Sequence, residues 1–109
     1  MPAGRPTDYS EELAAKICEQ IADGFSLRQI CLAGDMPNRS TVFRWLSKNK
    51  AFSDQYARAK EESAELFAED ILSIADGDGE SDVQRDRLRV DARKWIASKL
   101  KPKKYGDKV

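Results

Sequence analysis

Apolar residues recur every three or four positions along almost the whole chain, and no segment makes a convincing strand. This predicts an all-α protein. After Ser10, Leu13, Ile17 and Ile21 lie four apart and mark a first helix over about 10–23, ended by Gly24. Ser26-Leu27-Arg28-Gln29 is a capping box, and Phe25 with Ile30 has the spacing of a hydrophobic staple, so a second helix starts there. Leu27, Ile30 and Cys31 face inward, and Gly34 ends that helix after about eight residues. The turn Gly34-Asp35-Met36-Pro37 leads to Asn38, an N-cap for a third helix with Val42, Trp45 and Leu46 on its buried face. A short helix, a turn and an amphipathic helix in close order outline a helix-turn-helix over residues 25–49. A three-helix bundle that binds nothing has the same outline.

A longer helix is expected from about Phe52 to Asp76. Phe52, Tyr56, Ala59, Ser63, Leu66, Phe67, Asp70, Ile71 and Ile74 share one face of it. Gly77-Asp78-Gly79 breaks the pattern, and Ser81-Asp82-Val83-Gln84 reads as a second capping box. The next helix runs to about Leu100, before Pro102, with Leu88, Ala92, Trp95, Ile96 and Leu100 expected on its inner face. Two long helices joined by a short loop form an antiparallel hairpin. So small a chain gives the hairpin little to pack on, so a leftover apolar face suits a subunit interface. The expected organisation is a DNA-binding helix-turn-helix domain at 1–50, a helical hairpin for oligomerisation at 51–101, and a basic tail at 102–109. The candidate oligomerisation residues are Phe67, Ile71, Ile74, Leu88 and Trp95; some of them must also close the hairpin, and the sequence does not apportion them.

Composition narrows the chemistry. The chain has no histidine, which excludes His-based acid–base catalysis and His-ligated zinc, and no Gly-x-x-x-x-Gly-Lys phosphate loop. Two cysteines, Cys18 and Cys31, are too few for a zinc cluster and are expected as small buried apolar groups. Asp76, Asp78, Glu80 and Asp82 space oxygens like the start of a calcium loop. The pattern then fails, with Ser81 at the glycine position and Arg87 at the terminal glutamate position. No catalytic constellation, cofactor or metal is expected. No segment is apolar enough to span a membrane, and the first residues lack the apolar core of a signal peptide, which points to a cytoplasmic protein.

Net charge is zero, yet the charges are segregated. Residues 26–50 carry five basic and one acidic residue, net +4. Residues 51–82 carry two basic and ten acidic, net −8, and residues 83–109 ten basic and three acidic, net +7. Opposite Val42, Trp45 and Leu46, the third helix carries Ser40, Arg44 and Ser47, flanked by Arg39, Thr41, Phe43 and Lys48. Arginine can pair bidentately with guanine and hydroxyls suit phosphate oxygens, so Arg39, Ser40, Thr41, Arg44, Ser47 and Lys48 are candidate contacts to double-stranded DNA. The alternative is a solvated polar face. Gly4-Arg5-Pro6 has the form of a minor-groove hook that would insert Arg5, or of a disordered tail. Lys101-Pro102-Lys103-Lys104 is either a solvated helix exit or a second phosphate contact.

Four motifs in register add a resemblance. Gly4-Arg5-Pro6-Thr7-Asp8-Tyr9, Met36-Pro37 through Ser40-Thr41-Val42-Phe43-Arg44-Trp45-Leu46, Arg87-Leu88-Arg89-Val90-Asp91-Ala92-Arg93-Lys94-Trp95, and Lys104-Tyr105-Gly106-Asp107-Lys108 together resemble the terminase small subunit of tailed bacteriophages, most closely the Shigella-phage podovirus type. The resemblance implies an N-terminal helix-turn-helix that recognises the packaging site on viral DNA in the host cytoplasm. It further implies a central hairpin that assembles subunits into a ring larger than a dimer. It also implies a non-enzymatic role, regulating a large subunit that holds the ATPase and nuclease. In the family a C-terminal segment continues past the Lys-Tyr-Gly-Asp-Lys motif into a small β-barrel that touches the large subunit. A phage or bacterial transcriptional regulator with the same helix-turn-helix is the alternative, and would normally be a dimer on a palindromic operator.

Overall fold

The computed structural model of the chain describes residues 5–77 and 82–106. The described residues form six helices and no strand: α1 (Glu11–Ala22), α2 (Leu27–Ile30), α3 (Arg39–Lys48), α4 (Lys50–Ala75), α5 (Val83–Leu100) and α6 (Pro102–Tyr105). They divide into two compact units, residues 1–59 and 60–109. The first ten residues of α4 belong to the first unit.

The first unit is built by its caps. Ser10 accepts the Leu13 N–H at 3.1 Å and starts α1. The helix ends where Gly24 takes φ 95, a left-handed conformation that glycine adopts without strain. There the Gly24 N–H reaches the Ile21 carbonyl and the Phe25 N–H reaches the Gln20 carbonyl, the paired bonds of a Schellman motif. The Ser26/Gln29 capping box is present with both of its bonds. Regular α2 is only four residues long, shorter than its apolar pattern suggests. After Ile30 the bonding tightens: the Leu32 and Ala33 amides reach back three residues, to Gln29 and Ile30, and the chain turns. Asn38 precedes α3 as expected but makes no side-chain cap bond.

Only Asn49 separates α3 from α4, and its side chain caps α4 through the Phe52 N–H at 3.0 Å. Ala14, Ile17, Ile21, Leu27, Ile30, Met36, Val42, Trp45, Phe52 and Ala59 form the core. Tyr9 packs edge-on against Trp45 with ring centroids 5.5 Å apart, and Phe52 sits between Tyr9 and Tyr56 at 5.9 and 6.0 Å. The compact unit therefore runs past residue 50, because Phe52 and Ala59 fill its core. Cys18 and Cys31 are both buried here and unbonded, and burial pushes both thiols up.

In the second unit, Arg93 meets Asp70 at 3.2 Å and Lys101 meets Glu65 at 2.8 Å. Higher residue numbers on α5 thus pair with lower ones on α4, which makes the pair antiparallel. Asp82 starts α5 by accepting the Gln84 and Arg85 amides, both at 3.1 Å. The expected Ser81 cap, and Asp78 and Glu80 of the calcium-like series, lie outside the described residues.

The inner face of α5 differs from expectation. Leu88 and Trp95 are 68% and 60% exposed, and Ala92 and Ile96 are also on the outside. Ala97 is buried instead, with Asp86, Arg89, Val90, Arg93 and Leu100 partly covered. α5 carries two apolar stripes, and the hairpin closes on the one with smaller side chains and an ion pair. Phe67 and Ile71 are half-buried and Ile74 is buried within the single chain, so Ile74 serves the hairpin itself.

Candidate nucleic-acid interface

α3 presents one packed and one open side. Val42 and Trp45 are buried and Leu46 packs against the core, while Arg39, Ser40, Phe43, Arg44, Ser47 and Lys48 are exposed. No acidic residue lies in the helix. Three cations and two hydroxyls on a ten-residue rod make a local positive surface suited to a polyanion. Ser47 Oγ donates back to the Arg44 and Phe43 carbonyls at 3.0 and 3.3 Å, which fixes its hydroxyl on the helix surface. Arg44 reaches sideways, its Nη2 3.4 Å from the Thr7 carbonyl.

Two expected members are placed elsewhere. Thr41 is only 7% exposed and lies on the inward side beside Val42, so it borders the core instead of the open face. Arg5 is not extended in an arm. Its Nη1 donates to the carbonyls of Cys31 at 2.7 Å, Ala33 at 3.2 Å and Met36 at 3.1 Å, all in the segment joining α2 to α3. Burial pushes the Cys31 thiol up, and the positive charges of Arg5 and Arg39 oppose that push. Gly4 of the expected hook lies outside the described residues.

A second cluster organises the basic run after α5. Glu65 accepts from Lys101 Nζ at 2.8 Å, from Lys104 Nζ at 2.9 and 3.1 Å, and from the Tyr105 hydroxyl at 2.7 Å. Hydrogen bonds from Lys101, Lys104 and Tyr105, in that order of weight, bring its carboxyl down to about 2. Lys101 and Lys104 are thus both paired with Glu65. Gly106 closes the turn: a Cβ there would stand 2.5 Å from the Pro102 carbonyl oxygen.

This architecture recurs in solved proteins. Residues 9–109 match the family model described as bacteriophage Sf6, terminase small subunit-like. The chain belongs to that family. Two point-mutant crystal structures of terminase small subunit gp1 from the bacterial virus Sf6 are each 47% identical to it and cover 95% of this chain. They superpose with TM-scores of 0.82 and 0.86, over 86% and 82% of their own chains. A curated relative, the uncharacterized protein YffO of Escherichia coli strain K12, is 33% identical over 54 residues, half of this chain. The chain covers only 39% of the length of YffO.

Family membership supports a terminase small-subunit role and accounts for the all-helical plan of helix-turn-helix followed by hairpin. The packing and hydrogen bonds account for parts of two of the motifs. Trp45 in the second motif is a core residue, and Tyr105-Gly106 in the fourth is the hydroxyl that reaches Glu65 and the glycine that lets α6 close. Asp107 and Lys108 lie outside the described residues. Among the described residues, no helix is long and apolar enough to cross a membrane.

Proposed function

We propose that this protein is the non-catalytic, DNA-recognising subunit of a viral packaging terminase. In this reading α3 enters the major groove of the packaging site on double-stranded viral DNA in the host cytoplasm. Arg44 contacts base edges, Arg39 and Lys48 contact phosphates, and Ser40 offers its hydroxyl to a phosphate oxygen, which Ser47 can do only by turning its proton away from the Arg44 and Phe43 carbonyls. The exposed Phe43 ring suits the methyl group of a thymine. The outward stripe of α5, with Leu88 and Trp95, and the half-buried Phe67 and Ile71 build a homo-oligomeric ring larger than a dimer. The ring regulates a terminase large subunit that supplies ATPase and nuclease.

The observation that carries this is the open face of α3, with three cations, two hydroxyls and no acid, raised on a packed core in a chain of this family. A monomer with no net charge and one small basic face binds DNA weakly. Linked copies on one DNA segment gain by effective concentration, so assembly supplies the affinity. The experiment pairs the native mass of the full chain by light scattering with its binding to 30-base-pair duplexes enriched from a random pool. We expect a mass above a dimer and an affinity that falls steeply with salt. A stable dimer that prefers palindromic duplexes would favour the transcriptional regulator. Unchanged binding after joint replacement of Arg39, Arg44 and Lys48 by alanine would refute the α3 interface.

A further inference from the structure

The three carbonyls gathered on Arg5 sit where α2 ends and α3 begins. The last carbonyls of a helix lack intrahelical donors and need partners from elsewhere. Cys31 is the C-cap of α2, Ala33 lies in the turn, and Met36 is three residues before the first residue of α3. Met36 and Pro37 are both buried, so the backbone at Met36 is clamped from two sides, by the core and by the guanidinium. The segment that carries Arg5 then runs along α3: the Thr7 carbonyl accepts from Arg44 Nη2, and Tyr9 lies edge-on to Trp45. One five-residue segment thus touches the turn, the open side and the packed side of the same helix.

We infer that Arg5 is a positioning residue for DNA recognition. It pins the α2–α3 turn and thereby fixes the pitch at which α3 meets base edges, without touching DNA itself. A guanidinium suits the task because it remains charged at every relevant pH and offers several N–H donors in a fixed plane to converging carbonyl dipoles. Loss of the clamp lets the start of α3 shift. Base contacts demand alignment within a fraction of an ångström, whereas phosphate contacts through long flexible cations tolerate such a shift. Sequence discrimination should therefore suffer more than overall affinity. The inference rests on the assignment of α3 as the DNA-contacting helix.

The test uses the full chain and two probes: a 30-base-pair duplex selected from a random pool, and a shuffled duplex of the same composition. In Arg5→Ala, the selected-to-shuffled affinity ratio should fall about tenfold, the scale of one misplaced base contact. The slope of log affinity against log salt should keep its wild-type value. A slope shallower by about 0.9 would mean that Arg5 neutralises a phosphate, and would overturn the inference in favour of a DNA-inserted arm. Wild-type ratio and slope together in a folded variant would leave Arg5 a scaffold residue only, and would overturn it too. If Arg5→Ala does not fold, Arg5→Met, which keeps an unbranched apolar stem and loses every N–H donor, takes its place with the same expectations. Arg44→Ala is the control. If it leaves the ratio untouched, the α3 assignment itself fails; if it lowers the ratio while the Arg5 variants do not, only the clamp fails.

Discussion

Removal of the Phe52 side chain is the severest single truncation that the first unit offers. Phe52 is fully buried, and its ring lies between Tyr9 and Tyr56 at 5.9 and 6.0 Å. Phe→Ala in a packed core costs about 3–5 kcal/mol, and each lost aromatic pair adds about 0.5–1.5 kcal/mol where the site cannot collapse. A unit of this size holds only about 3–9 kcal/mol in total. Phe52→Ala should therefore remove most of the stability of the unit while leaving the α3 surface chemically intact. Trp45, buried in the same core, reports the change. In a Trp95→Phe background the emission comes from Trp45 alone, and its red shift in urea follows the unit as it opens. With a denaturant slope of about 1–3 kcal/mol per molar, a loss of about 3–5 kcal/mol should lower the midpoint by roughly 1–5 M, or the unit should already be open in water. DNA binding should be lost at the same urea concentration. A midpoint lowered by less than about 0.5 M would refute the view that residues past 50 complete the core of the first unit.

Arg44→Ala should weaken binding to the selected duplex by about 1–3 kcal/mol with its circular dichroism unchanged, and a folded variant that binds normally would remove α3 from the interface. Leu88→Asp and Trp95→Asp should lower the native mass in light scattering without loss of helicity, whereas Ile74→Asp, which buries an unpaired carboxylate, should unfold the second unit at a cost of about 3–5 kcal/mol. An Ile74→Asp protein that keeps its helices and merely dissociates would return Ile74 to the subunit interface. The folded Glu65 carboxyl titrates near 2, below its ordinary 4.5, so its bonds to Lys101, Lys104 and Tyr105 stabilise the fold fully above about pH 4.5 and are lost as pH falls towards 2. Wild type should melt above Glu65→Gln at pH 7 and alongside it near pH 2; a constant gap across that range would show that the carboxylate charge is not the source.

Local signals were legible and distant ones were not. Ser10, the Ser26/Gln29 box and Gly24 act through neighbours at most five residues away, so their spacing alone specifies the bonds that form. The two sides of α3 were equally readable, because Val42, Trp45 and Leu46 fit one helical stripe. Thr41 misled because a β-branched residue with a hydroxyl suits both the core edge and the open face. On α5 the pattern was ambiguous in itself: Leu88 and Trp95 trace one stripe, Val90, Ala97 and Leu100 another, and periodicity does not rank them. Bulk favoured the first stripe, yet the ion pair of Arg93 with Asp70 accompanies closure on the second. Arg5 and Glu65 lay beyond any local signal, since their partners are 26–31 and 36–40 residues away along the chain.

Both thiols of the chain lie in the first unit, each under closely packed apolar groups and each less acidic for it. A thiol reacts as its thiolate, so a closed unit shields Cys18 and Cys31 twice, by access and by protonation. Their modification by a water-soluble disulfide reagent then proceeds only as fast as the unit opens, and the second unit contributes no signal because it has no cysteine. The rate of colour release becomes a clock for the opening of one unit alone, and anything that grips α3 slows the clock.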